Sequence, residues 1–363
     1  MRFPEFKGEW EDKKLGDLCS EFKSGKNIKS AEILEDGKFP VFGGNGLRGF
    51  THKYNYNGEY VIVGRQGALC GNVRLVEGKC YMTEHAIVIQ GSEDNNTKFL
   101  LYLLDKLNLG QYSDQSAQPG LAVNKLQKIK VTIPNLSEQN KIASFLFLLD
   151  QRIKTQIKII EDLKVLQNTL IDYYYHHQRY DKNVSLFDCI SQTSERNKKN
   201  NAFPVLSVSN KYGFIQQIEQ FENRKVASED ISNYKIVRKN DFAYNPARIN
   251  VGSIAKLIKY SNGIVSPMYI CFRAKDNFLP DFLEFYFKSK QFKNEVLKRL
   301  EGSVRQCLPF EGLCDIPVVF PPKEKQKDII TQLSAIQTKI EIETTIKELQ
   351  LKQKQHLLHQ MHI

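Results

Sequence analysis

The 363-residue sequence predicts an α+β protein in which one plan is used twice, each time as an α/β domain followed by a long helix. Three observations carry this prediction. A ten-residue segment recurs late in the chain, a heptad pattern follows each copy, and alternating apolar segments typical of strands precede each copy. The two helices are expected to pair with each other, which gives the chain an internal pseudo-two-fold repeat.

The repeat is clearest at the entrance to each long helix. "IPNLSEQNKI" (133–142) returns as "FPPKEKQKDI" (320–329), so that Pro134, Gln139 and Ile142 match Pro321, Gln326 and Ile329. The proline ends a strand, and Ser137 is a candidate N-cap.

Apolar side chains then recur in steps of four and three, as in a coiled coil. The positions assigned to helix pairing in the first copy, beginning with the entrance glutamine, are Gln139, Ile142, Leu146, Leu149, Ile153 and Ile160. Those in the second copy are Gln326, Ile329, Leu333, Ile336 and Ile340. Glutamines interrupt the pattern (Gln156, Gln167 and Gln353) and are expected to fix the register. "IEDL" at 160 and "IKEL" at 346 align with one residue fewer in the second copy.

Four segments follow from these patterns. Globular domains are predicted for residues 1–135 and 181–322, and long helices for 136–180 and 323–363. "EYVIVGRQG" and "HAIVIQG" have the character of strands in the first domain, as "SIAKLIKY" and "MYICFRA" do in the second.

Composition limits the classes of function. The net charge of +11 favours an anionic partner, of which nucleic acid is the commonest. Seven cysteines without a C-x-x-C pair argue against a disulfide framework or a zinc site. The sequence has neither an apolar run of membrane-spanning length nor a signal peptide, so a cytoplasmic protein without membrane contact is expected.

No segment assembles a catalytic centre. "NPAR" (245–248) lacks the second proline and the aromatic residue of an adenine-methyltransferase loop. "GGNG" and "GRQG" lack the spacing of a dinucleotide fingerprint, and no P-loop occurs. "PDFLEFYFK" (280–288) resembles an amphipathic helix more than a nuclease motif. We expect no catalytic residue, metal or cofactor in this chain, and a core or surface role for His85.

Polar and basic loops are the remaining candidates for function. Arg, Asn and Gln hydrogen-bond to base edges, whereas Lys binds phosphates. The candidate DNA-binding residues are Arg48, Lys53, Arg65, Gln66, Asn72, Arg74, Gln118, Lys198, Lys199, Arg248, Asn250, Arg305 and Gln306.

The sequence resembles the specificity subunits of type I restriction–modification systems. The resemblance rests on "FKGEWEDKKLGDL", "GEYVIVGRQGALCGNV", "MTEHAIVI" and the two helix entrances, and it covers essentially the whole chain. It implies two target-recognition domains, each binding one half of a bipartite, asymmetric DNA target, and two helices that pair antiparallel and set the spacer. It further implies a non-catalytic subunit whose helices dock two methyltransferase subunits, joined by restriction subunits. S-adenosylmethionine, ATP and Mg²⁺ would then belong to those partners.

Two alternatives stay open at this point. The same chain could serve a type IIB system, whose partner combines nuclease and methyltransferase, or it could be a coiled-coil scaffold that does not bind DNA. Because "YNPARINVGS" replaces "IVGRQGALCGN" in the second domain, the two half-sites are expected to differ.

Overall fold

The computed structural model describes residues 2–67, 69–113, 120–177, 183–199, 201–217, 231–302, 306–319 and 321–360. They form two compact units. Unit 1 comprises Met1–Lys158 and Thr345–Ile363, and unit 2 comprises Ile159–Thr344. Each unit therefore contains one globular domain and a part of both long helices.

Unit 1 is built around a six-stranded sheet in the order β2-β7-β5-β6-β3-β4, with β1 and β8 as a separate antiparallel pair. Its strands are β1 (Glu11–Lys14), β2 (Cys19–Ser24), β3 (Phe39–Gly43), β4 (Gly46–Thr51), β5 (Tyr56–Gly64), β6 (Val73–Met82), β7 (Ala86–Gly91) and β8 (Lys130–Ile133). The short helices are α1 (Thr97–Lys106) and α2 (Val123–Leu126). Asn96 caps α1 by accepting a hydrogen bond from the Phe99 amide at 2.9 Å.

Unit 2 holds two four-stranded sheets, β10-β17-β14-β15 and β12-β11-β16-β13, and the antiparallel pair β9–β18. Its strands are β9 (Asn183–Ser185), β10 (Ile190–Thr193), β11 (Val205–Ser209), β12 (Gly213–Gln216), β13 (Lys235–Arg238), β14 (Phe242–Tyr244), β15 (Ile254–Lys256), β16 (Asn262–Val265), β17 (Ile270–Ala274) and β18 (Pro317–Val319). The short helices are α4 (Leu186–Cys189), α5 (Pro280–Tyr286), α6 (Lys290–Lys298) and α7 (Phe310–Cys314).

The two units share one strand order. The run β2-β7-β5-β6 corresponds to β10-β17-β14-β15, and β6-β3-β4 corresponds to β16-β11-β12. In unit 1 the ten-residue strand β6 belongs to both runs, whereas unit 2 uses two shorter strands. β3 pairs in parallel with β6, as β11 does with β16. The predicted duplication of two α/β domains is confirmed.

The long helices are α3 (Leu136–Asp172) and α8 (Lys323–Gln360), each about 56 Å long at 1.5 Å per residue. A π-helical turn, Tyr173–His177, follows α3. The N-cap of α3 is Asn135, whose Oδ1 accepts a 3.0 Å hydrogen bond from the Glu138 amide, so the prediction for Ser137 is wrong. Gln156 and Gln167 are buried as predicted, but Gln353 is exposed and Gln350 is buried instead.

The helices run antiparallel within each unit. In unit 2, Gln167 Nε2 donates to Gln337 Oε1 at 3.0 Å. Tyr174, which follows Gln167 in the chain, donates to Gln332, which precedes Gln337, at 2.6 Å. In unit 1, Lys354 near the end of α8 forms a 2.6 Å ion pair with Asp150 in the first half of α3. The predicted pairing of the two helices is confirmed.

Candidate nucleic-acid interface

A glycine hairpin between β3 and β4 brings several loops of unit 1 together. A Cβ atom added to Gly44 would lie 2.8 Å from the His85 carbonyl oxygen and 3.5 Å from the Arg65 amide nitrogen. A Cβ atom added to Gly46, whose φ is +97°, would lie 3.1 Å from a guanidinium nitrogen of Arg74. Only glycine allows this close approach, so the hairpin, the β5–β6 loop and the β6–β7 loop form one surface.

That surface carries most of the predicted DNA-binding side chains of unit 1. Arg48, Gln66, Asn72 and Arg74 are exposed, and Arg65 is half-buried. None of the three arginines forms an ion pair with a carboxylate in the part of the chain that the structure describes. Their charge is therefore available to an external anion. Gln118 lies outside the described residues.

Lys53 has a different environment. Its ammonium forms an ion pair with Glu32 and lies 5.7 Å from the centre of the Tyr81 ring. The hydrogen bond from Lys53 to Glu32 raises the pKa of Lys53 and lowers that of Glu32. A lysine already neutralised in this way contributes less to phosphate binding than the three unpaired arginines do.

His85, for which the sequence predicts a core or surface role, lies on the unit 1 surface in a contact with Gln66 that sequence reasoning missed. Its Nδ1 lies 3.1 Å from Gln66 Oε1, and its Nε2 lies 3.2 Å from Glu84 Oε1. The sequence places His85 between two strands, but the contact with Gln66 spans 19 residues and has no sequence signal.

In unit 2 the "NPAR" segment is a closed turn. The buried Asn245 accepts hydrogen bonds from the Ala247 amide at 3.1 Å through its side chain and from the Arg248 amide at 3.0 Å through its carbonyl. Arg248 and Asn250 remain exposed. Because Asn245 is buried in a structural role, this turn is unsuited to holding a flipped base.

A second segment joins this turn. The Leu308 amide donates to the Pro246 carbonyl at 3.1 Å, and the Tyr244 hydroxyl donates to the Leu308 carbonyl at 3.1 Å. The structure thus holds the segment of the exposed Gln306 against the turn of Arg248. Arg305 lies outside the described residues.

A cavity of about 950 Å³ adjoins Asn250 in unit 2. Its lining includes Lys211, Tyr212, Lys259 and Lys293, which sequence reasoning missed. All four are exposed, and none of the three lysines pairs with a carboxylate among the residues described. Tyr212 is 66% exposed at the β11–β12 turn, with Lys211 4.9 Å from its ring centre. A basic rim with an exposed aromatic ring suits nucleic acid.

Lys198 and Lys199 occupy another turn of unit 2. Fully buried Asn197 closes this turn by donating to the Asn201 carbonyl at 3.1 Å and accepting from the Asn201 amide at 3.0 Å. Both lysines are exposed. The adjoining backbone contacts β13, where the Ile236 amide donates to the Glu195 carbonyl at 2.8 Å, and not the Arg248 turn.

The repeated glutamine has the same function in both units. Gln139 accepts a hydrogen bond from the Asn96 amide at 3.0 Å, and it donates to Pro134 O at 2.9 Å and to Asn95 Oδ1 at 3.0 Å. Gln326 accepts from the Leu279 amide at 3.0 Å, and it donates to the carbonyls of Pro321 at 3.0 Å and Asn277 at 3.3 Å. Each glutamine ties the start of a long helix to the start of a short helix in the same unit, α1 for Gln139 and α5 for Gln326.

The other predicted helix positions divide by location. Ile142, Leu146 and Leu149 join the unit 1 core, and Ile329 and Leu333 join the unit 2 core, so these positions anchor the helices to the globular domains. Ile153, Ile160 and Ile340 are buried further along, and Ile336 is half-buried. With Gln139 and Gln326 each 1% exposed, the entrances themselves offer little surface to a partner.

The described residues contain neither a metal-binding cluster nor a membrane-spanning helix. Within the described ranges there is no group of three or more His, Cys, Asp or Glu side chains suited to a metal ion. The seven cysteines are free thiols, four of them buried. No helix in the described part of the chain is both long and apolar enough to span a bilayer.

Comparison with known families decides the identity. The model of the type I restriction modification DNA specificity domain matches residues 7–164 and, a second time, residues 188–352. The chain belongs to this family. The double match coincides with the repeat seen in the two units.

Relatives of this specificity family occur in several organisms. The chain is 40% identical over 150 residues to the type I restriction enzyme EcoprrI specificity subunit of Escherichia coli, a match covering 40% of this chain and 37% of that subunit. It is 26% identical over 316 residues to a putative type I restriction enzyme MjaX specificity subunit of Methanocaldococcus jannaschii, covering 77% of this chain and 71% of the relative.

Solved structures show the same fold. The crystal structure of a type I restriction–modification S subunit from M. genitalium has a TM-score of 0.67 at 15% identity, with 99% of this chain and 98% of that chain covered. A chain from a study of complex assembly and conformational transition in the type I system has a TM-score of 0.57 at 14% identity, with 99% and 98% covered.

Proposed function

We propose that this chain is the DNA sequence-recognition subunit of a type I restriction–modification enzyme and that each globular domain binds one half of a bipartite, asymmetric target. The observation that carries the proposal is the structural repeat. Two domains with one strand order, each clamped to its helix by a buried glutamine, present different exposed polar loops.

Side-chain chemistry supports base recognition in unit 1. In the major groove, arginine bonds in bidentate fashion to guanine, and a glutamine amide hydrogen-bonds to base edges. Arg48, Arg65 and Arg74 are free of carboxylate partners within the described residues, and Gln66 stands exposed beside them. The net charge of +11 adds a sequence-independent attraction to phosphates.

In unit 2 a different set would contact the second half-site. Arg248, Asn250 and Gln306 lie on joined segments, and Asn250 lines the cavity together with Lys211 and Tyr212. Lys198 and Lys199 would contact the DNA backbone from their separate turn. The different side chains of the two domains account for an asymmetric target, and two half-sites multiply specificity beyond that of one module.

The long helices would set the spacer and dock two methyltransferase subunits, with restriction subunits joining that core. Exposed apolar side chains on α3 and α8 support this. Val165 and Leu351 hold the same place after "IEDL" and "IKEL" and are 64% and 40% exposed. A repeated apolar contact is suited to two copies of one partner. The partners would supply S-adenosylmethionine, ATP and Mg²⁺, and the complex would work in the cytoplasm.

Substitutions in one domain test the proposal. We expect Arg65→Ala to weaken binding or relax specificity by about 1–3 kcal/mol in one half-site only, and Arg248→Ala to do so in the other. Lys53→Ala is the matched control, because Lys53 is already paired with Glu32. The measurement is competition binding of the full chain, with its methyltransferase, to duplexes mutated in either half. An Arg65→Ala protein that loses both halves equally would refute the assignment of one half-site to each domain.

A further inference from the structure

His85 lies between two hydrogen-bond acceptors on the unit 1 surface. Gln66 Oε1 is 3.1 Å from its Nδ1, and Glu84 Oε1 is 3.2 Å from its Nε2. The backbone around this trio is held in place, because the Arg65 amide donates to the His85 carbonyl at 2.9 Å and Gln66 forms a β-bridge with Gly120. The backbone therefore keeps the three side chains close, and the direction of each hydrogen bond depends on which nitrogen atoms carry protons.

A count of protons leaves two arrangements. A protonated imidazole has two N–H groups and donates to both oxygens. A neutral imidazole has one, which it donates to the Glu84 carboxylate, and its Nδ1 becomes an acceptor. The Gln66 amide then turns over, since its oxygen and nitrogen ends are nearly equal in size, and its NH₂ donates to Nδ1. The remaining neutral tautomer directs the Nε2 lone pair at a carboxylate and is disfavoured.

We propose that the protonation state of His85 decides which atom of the Gln66 amide faces outward and, through it, which base unit 1 prefers at the position that Gln66 contacts. The second half of this inference rests on the proposed function. His85 is thus a positioning residue that acts through Gln66.

The change at the base edge follows from hydrogen-bond complementarity. With His85 protonated, Gln66 presents its NH₂ group, which pairs with acceptors such as guanine N7 and O6. With His85 neutral, Gln66 presents its carbonyl oxygen, which accepts from adenine N6 or cytosine N4. The preference between the two classes of base should change about tenfold between pH 5.5 and pH 8, the range in which histidines usually titrate.

Few charged groups compete with this exchange. Glu84 is the carboxylate in contact with the ring, and its second oxygen, Oε2, is buried without a hydrogen-bond partner in the described structure. From the β5–β6 loop, Arg65 and Gln66 face His85, and from the β3–β4 hairpin Gly44 meets its carbonyl, with Arg48 beside Gly43. Arginine guanidinium groups are not deprotonated in proteins.

The first arm of the test needs no DNA. The full chain, labelled with ¹⁵N in its His and Gln side chains, is titrated by NMR. The Gln66 side-chain resonances should move with the same midpoint as the His85 ring nitrogens. They should stay constant in His85→Phe, and His52→Phe, which removes another exposed histidine of unit 1, should leave them titrating. The proposal would be overturned if the Gln66 side-chain resonances stayed constant while the His85 ring resonances titrated.

The second arm measures base preference. At pH 5.5 and at pH 8, the full chain is used to select duplexes from a pool in which both half-sites are randomised. We expect one position of one half-site to change its preferred base, with the other half-site constant as an internal reference. His85→Phe should abolish the change, and Gln66→Glu, which offers only acceptors, should hold the pH 8 preference at both values.

The two arms separate the hypotheses. If the His85 and Gln66 resonances titrate together and the preferred base changes with pH, both parts of the inference are supported. Coupled titrations with the same selected bases at both pH values overturn the claim on specificity. Selection of no sequence at either pH overturns the proposed function and, with it, the claim on specificity, while the NMR result still decides the coupling.

Discussion

The strongest test of the fold concerns the glutamine at the entrance of α3. Gln139→Leu keeps the approximate volume and removes one acceptor and two donor contacts in a site that is 1% exposed. The substitution leaves the Asn96 amide, the Asn95 side chain and the Pro134 carbonyl without these partners. At about 1 kcal/mol for each hydrogen bond, unit 1 should lose about 3 kcal/mol of unfolding free energy.

The chain provides its own probe for this measurement. Trp10 is the single tryptophan and packs against the unit 1 core, so its fluorescence in a urea titration reports on unit 1. Gln151→Leu, at an exposed position of the same helix, is the matched control and should change the free energy by less than about 0.5 kcal/mol. The stabilising role of Gln139 would be refuted if the unfolding free energy of Gln139→Leu lay within 1 kcal/mol of the parent value. It would also be refuted if Gln151→Leu lost as much stability as Gln139→Leu.

Two further outcomes follow from unit 2. Tyr244→Phe removes the hydroxyl that holds Leu308 beside the Arg248 turn, so it should cost about 1 kcal/mol and weaken binding to the second half-site in competition assays, leaving the first unchanged. The hydrogen bond from Lys298, with a further contribution from Arg299, lowers the pKa of Glu295. A lowered carboxylate pKa stabilises the fold above the ordinary glutamate value and ceases to do so as the pH falls through the lowered value. Glu295→Gln should therefore cost less than about 1 kcal/mol at pH 7 and less still near pH 3, by circular dichroism in urea. An equal loss at both pH values would contradict this pairing.

Periodicity made the long helices predictable, because an apolar pattern sustained over 37 residues has few other solutions. The role of Gln139 was not predictable in the same way. Its repetition with Gln326 is visible in the sequence, but its partners Asn95 and Asn96 lie more than 40 residues earlier and become neighbours only in the folded domain. A residue that looked suited to helix pairing is therefore placed inside its own domain.

The sequence indicated which residue types would form the candidate interface, but it did not indicate which loops would meet there. Glycines at "GGNG" and "GRQG" mark tight turns, yet the close approach of Gly44 to the loops of Arg65 and His85 depends on how the sheet brings them together. The same limit applies to the register of α8. The one-residue deletion aligns Gln353 with the buried Gln167, yet in the folded helix Gln350 is buried and Gln353 is exposed.

The most direct test of the central claim is a genome-wide map of methylated bases in cells that express this chain with its methyltransferase. The account predicts a new split motif, with methylated adenine in both halves, a fixed gap between them and a different sequence in each half. A stable complex that produces no new methylated motif, or a motif without a gap, would contradict recognition by two separate domains.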